Sequence, residues 1–78
     1  MARESTPAVD DSRQSPVGAV GKVTVPIPAG GPGEVLVALR GGSEVFAAWC
    51  SEPVGRDVRV VVVDAISARS VIVELLPP

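Results

Sequence analysis

Residues 34–49, EVLVALRGGSEVFAAW, set two runs of alternating apolar residues on either side of a glycine pair. A two-residue hairpin loop matches the twist of its flanking strands only where positive φ angles are available, and glycine takes them without a Cβ clash. The pattern predicts a β-hairpin with Gly41-Gly42 as its loop, in which Arg40 faces Ser43, Leu39 faces Glu44, Val37 faces Phe46 and Val35 faces Ala48. Opposed residues share a face. One side therefore carries Val35, Val37, Leu39, Phe46 and Ala48 and reads as core. The other carries Glu34, Leu36, Ala38, Arg40, Ser43, Val45, Ala47 and Trp49 and is only half polar.

The remaining apolar runs keep the same period of two. Val23, Val25 and Ile27 alternate with Lys22, Thr24 and Pro26, a half-buried strand whose end is set by Pro26 and Pro28, which have no N–H for a ladder. Gly18 and Gly21 suggest a bulge or tight bend at its start. The following AGGPG, residues 29–33, is a loop feeding the hairpin; a phosphate-cradling loop would need a Lys-Ser/Thr pair and a helix behind it. Residues 50–56, CSEPVGR, form a turn. Residues 57–64, DVRVVVVD, place Val58, Val60 and Val62 on one face and Arg59, Val61 and Val63 on the other, so this strand is covered on both sides for part of its length. Residues 65–69 make a short connection. Residues 70–76, SVIVELL, close the chain with Val71, Val73 and Leu75 opposite Ile72, Glu74 and Leu76. Five short strands with glycine-rich corners must hide their edges, and closure into a small barrel does so. OB-type and SH3-like barrels both satisfy the pattern.

Composition agrees. A chain of 78 residues with 16 valines but only two aromatic side chains, Phe46 and Trp49, builds its core from β-branched residues suited to strands. A single domain of this size buries roughly 60% of the surface its unfolded chain exposes. Residues 1–16 carry five charges and few apolar groups, too few to offset the entropy of ordering them, and read as a disordered tail ahead of a barrel domain over residues 17–78. No apolar run is long enough for a signal peptide or a membrane span, so a cytoplasmic chain is expected.

Chemistry-bearing residues are sparse. With no histidine and one cysteine, Cys50, neither a zinc site nor an intrachain disulfide is expected, and no cofactor is implied. Glu34, Glu44, Glu52, Asp57, Asp64 and Glu74 are scattered on turns and alternating polar positions, where they read as solvated surface. Cys50 has no nearby cation in sequence to activate it and reads as a small apolar residue. A non-enzymatic protein is expected. A net charge of -2, with five basic against six acidic residues in the domain and two aromatics, disfavours nucleic acid, although a single-strand-binding barrel is the alternative. The feature that suggests a partner is the second hairpin face. Leu36, Val45 and Trp49 form a candidate protein-binding patch if they point outward. A bulge would instead carry Trp49 into the core.

The segments VGAVGKVTVPIP, GPGEVLVALRGGSEVFAAW, EPVGRDVRVVVVD and VIVELL together resemble the carboxy-terminal OB-type domain of NfeD-like proteins, in particular the actinobacterial form; Pro53, Val54, Val58 and Val60 fall on the motif that enters the fourth strand. The resemblance implies a five-stranded OB-type barrel acting as a non-enzymatic interaction module, in a family associated with stomatin- and flotillin-like membrane scaffold proteins. Membrane helices and a protease domain, found in longer members, are missing from this sequence, so contact with the inner face of a membrane is expected only through a partner.

Overall fold

A computed structural model describes residues 15–77. The tail expected over residues 1–16 lies, except for Ser15 and Pro16, outside the described residues. The chain forms five strands, β1 (Val20–Val25), β2 (Gly33–Leu39), β3 (Gly42–Trp49), β4 (Arg59–Ser67) and β5 (Ser70–Leu75). They close into a barrel in the order β1-β2-β3-β5-β4, with β4 returning to β1. Every contact is antiparallel except β3 with β5, which is parallel. The protein is thus an all-β, five-stranded closed barrel, as the alternating valines lead one to expect, and of the OB type that the family resemblance implies.

The barrel is filled from alternate positions. Val23 of β1, Val35 and Val37 of β2, Phe46 and Ala48 of β3, Val60 and Val62 of β4, and Val71 and Val73 of β5 are all buried. Ile27 and Val54 complete the core from the loops. Each donates its N–H to the other's carbonyl at 2.9 Å, so the β1–β2 and β3–β4 connections are stitched over one end of the barrel. Among the described residues no polar side chain is buried, and the interior is held by shape and apolar contact alone.

The hairpin differs from expectation in its register. Leu39 pairs with Gly42, Val37 with Glu44, and Val35 with Phe46, so the loop is Arg40-Gly41. Gly41 takes φ +88° while Arg40 keeps a negative φ. One positive φ at the second loop position is the sign pattern of a type II turn; a type I′ turn would need two. The slip is two residues and the side-chain period is also two, so each side chain keeps its face.

Two further expectations are corrected. Val25 leaves the core face: β1 is bulged, with Val23 opposite Val35 and Val25 already opposite Glu34, and the extra residue turns Val25 outward to 45% exposure. Residues 65–67 are not a connection but the continuation of β4, and the turn is confined to Ala68-Arg69. Polar residues end an apolar run without ending a ladder. Here β5 continues to pair through register shifts at Val62/Asp64 and Ala65/Ser67, and the Asp64 carboxylate accepts the Ala65 N–H at 2.8 Å.

Asp57 is the one described non-glycine residue with positive φ, +70°, and its N–H donates to the Val23 carbonyl at 2.8 Å. Aspartate tolerates this left-handed conformation better than residues branched at Cβ. Asp57→Val is therefore expected to lower the unfolding free energy by about 1–2 kcal/mol, and Asp57→Gly to stay within about 1 kcal/mol of the parent. Urea unfolding midpoints at unchanged slope measure both.

Candidate interaction surface

The outer face of the barrel follows from what the core claims. Because Val35 and Val37 point inward, Leu36 and Ala38 of β2 point outward; Phe46 inward leaves Val45 of β3 outward; Val23 inward leaves Val20 and Lys22 of β1 outward. Register then aligns them. Arg59 of β4 faces Lys22, Lys22 faces Leu36, and Leu36 faces Val45, a single row across four strands. Leu36 is 40% and Val45 47% exposed, with Val20 beside them at 37%. A shallow groove runs over this face, lined by Val20, Gly21, Lys22, Leu36, Ala38, Ser43 and Arg59.

Of the three residues expected to form a patch, the structure brings Leu36 and Val45 to one register position. Trp49 lies apart. No register shift occurs along the β2–β3 ladder, so Trp49 stays on the outward side of β3, half-buried, four residues beyond Val45 and opposite Ile72 of β5. At about 3.3 Å per residue it sits roughly 13 Å from Val45. Sequence reasoning missed Val20 and Arg59 as members of this face. The signal was present for Val20, which has the same parity as Lys22, but Arg59 reaches the row only through the β1–β4 closure.

The electrostatics of the row are one-sided. Lys22 and Arg59 are direct cross-strand neighbours, an arrangement of like charges that opposes pairing, and the other neighbour of Lys22 is Leu36. The six carboxylates Glu34, Glu44, Glu52, Asp57, Asp64 and Glu74 are all exposed. Among the described residues, no three His, Cys, Asp or Glu side chains gather where they could hold a metal ion. Cys50 is half-buried and packs against the core as an apolar group. Phe46 is 4% exposed, which leaves Trp49 as the sole aromatic ring with accessible surface. No helix among the described residues is long and apolar enough to cross a membrane.

The NfeD C-terminal domain family matches residues 20–74, from the first residue of β1 to the penultimate residue of β5. No curated protein matches the chain. Among solved structures, the chain is similar to the soluble domain of the NfeD protein YuaF from Bacillus subtilis, with 30% sequence identity and a TM-score of 0.68 over 91% of this chain and 81% of that one. The match takes in the whole barrel, including the bulged first strand, the central hairpin and the closing β4–β5 pair, and this chain belongs to the NfeD C-terminal domain family.

Proposed function

We propose that this domain is a non-enzymatic protein-interaction module, an adaptor that binds a stomatin- or flotillin-like membrane scaffold protein through the outer face of β2 and β3. The observation that carries the reading is the side-by-side exposure of Leu36 and Val45 on a barrel whose core is already complete without them. Apolar side chains of this size, contiguous and outward on a small closed domain, fit a surface that a partner covers. Trp49, half-buried and four residues along β3 from Val45, stands outside this contact. The class of partner is the one the resemblance implies, since NfeD-like proteins are a family associated with such scaffolds, and membership of that family supports the choice. On this reading the protein works in the cytoplasm and reaches the inner face of the membrane by way of its partner.

Affinity capture from native membranes tests this. The parent domain is expected to recover a stomatin- or flotillin-like protein, and Leu36→Asp or Val45→Asp to reduce the recovery at least tenfold, because each places an uncompensated carboxylate in the centre of the contact. Glu74→Lys, away from the patch on β5, serves as the control and should leave recovery unchanged. Equal recovery with all four proteins would sink the proposal. Retention on labelled single-stranded oligonucleotides that weakens steeply with salt would favour the nucleic-acid alternative instead; burial of Phe46 argues against it, because base stacking then has only Trp49 to use.

A further inference from the structure

We propose that the groove on the β1–β2–β4 face is a docking site for the chain's own amino-terminal segment, residues 8–11, AVDD, with Asp10 and Asp11 set against Lys22 and Arg59 and with Ala8 and Val9 against Leu36 and Ala38. Lys22 and Arg59 are register partners in the middle of a face that is otherwise apolar or neutral. Two cations held side by side repel one another, and an anionic occupant turns that repulsion into attraction for both. Asp10-Asp11 is the only pair of adjacent carboxylates in the chain, and the two residues before it are apolar. The segment thus sets two carboxylates beside two small apolar residues, as the groove sets two cations beside Leu36 and Ala38.

The chain enters the barrel at the right place. Pro16 is buried, its carbonyl accepts the Ala19 N–H at 2.9 Å, and the Gly18 N–H donates to Val62 at 2.8 Å, which holds the start of the domain beside the β4 side of the groove. Ser15 is exposed, with its Oγ accepting the Val17 N–H at 3.3 Å. From Ala19, which accepts from Val62, to Lys22 is three residues of strand, about 10 Å. Pro16 lies across a turn from Ala19, within about 7 Å, so Lys22 is within about 17 Å of Pro16, and the five residues from Pro16 back to Asp11 reach about 17 Å when extended. Docking there covers Leu36, so the segment would compete with a partner that uses that residue.

The test uses the full chain, with Cys50→Ser removing the native thiol and Ser5→Cys carrying a nitroxide spin label outside the docking segment. The amide NMR signals of Lys22, Leu36 and Ala38 are expected to be attenuated severalfold more than those of Ser51, Glu52 and Gly55 at the opposite end of the barrel. Asp10→Asn with Asp11→Asn should lower the docked-to-free ratio about fivefold, the size expected from losing two exposed ion pairs. Raising salt from about 0.1 M to about 1 M should act in the same direction, as the screening length falls from about 10 Å to about 3 Å. Asp10→Lys with Asp11→Lys should abolish the contrast, and adding Lys22→Glu with Arg59→Glu should restore it. Uniform attenuation, or a contrast that the asparagine variants leave intact, would overturn the proposal. So would attenuation seen when isotope-labelled protein lacking the spin label is mixed with spin-labelled protein lacking the isotope, since a second copy would then supply the segment. No partner protein enters the measurement, so its failure leaves the scaffold-binding reading standing, and failure of that reading leaves this one to be judged by its own signals.

Discussion

Replacing Gly33 with alanine is expected to lower the unfolding free energy by about 3 kcal/mol, at the upper end of what overpacking a tight site costs, because the atoms that must yield are backbone. Gly33 opens β2 directly beneath the bulge in β1. A Cβ there would lie 2.5 Å from the carbonyl oxygen of Pro26 and would also collide with that of Val25. Neither carbonyl can rotate away like a side chain, so relief requires the bulge and the strand to separate. Gly55 is the control: a Cβ at that position meets nothing within 4 Å and its φ is not positive, so Gly55→Ala should be neutral or stabilise by up to about 1 kcal/mol through the unfolded chain. Denaturant unfolding of both variants decides the matter. A Gly33→Ala protein within about 0.5 kcal/mol of the parent would show that the strands do not approach so closely.

Phe46→Ala should be comparably damaging, at about 3–5 kcal/mol. Phe46 is the only aromatic ring in a core otherwise made of valine, one isoleucine and one alanine. β-branched neighbours have stiff side chains and sit on strands closed into a barrel, so they cannot collapse into the space left behind. For a domain of about sixty residues the whole unfolding free energy is roughly 3–9 kcal/mol, so much of the variant population should be unfolded at ambient temperature. The adjacent substitution Val45→Asp, one residue away and on the opposite face, should stay within about 0.5 kcal/mol of the parent. Similar losses for the two would contradict the inward and outward assignment of β3, and with it the surface proposed to meet a partner.

The two faces of the central hairpin are legible in the amino-acid sequence. Val35, Val37, Phe46 and Ala48 are buried, and Leu36 and Val45 are exposed, as alternation about the glycine pair requires. Facing is the same for either placement of the loop, because the turn chemistry of Arg40-Gly41 shifts the register by two residues and a shift of two leaves parity unchanged. Val25 is not legible in the same way. Its bulge arises where β1 crosses over Gly33, a contact between segments that local pattern does not report. Val54 is hidden for a related reason: it lies in a turn-forming stretch and is buried only because Ile27, in a different loop, pairs with it.

The sequence by itself determined the all-β class and the face that most strand residues take, because both rest on period-two alternation and short-range turn chemistry; the family was legible as a likeness of whole segments to known NfeD domains, not from that alternation. Tertiary structure alone decided the row Arg59, Lys22, Leu36 and Val45, and the separation of Trp49 from it. Parity along a strand sets in from out, but which residues become lateral neighbours depends on register between strands and on β4 closing onto β1. Those are set by packing the barrel interior, a constraint that acts across the whole chain at once.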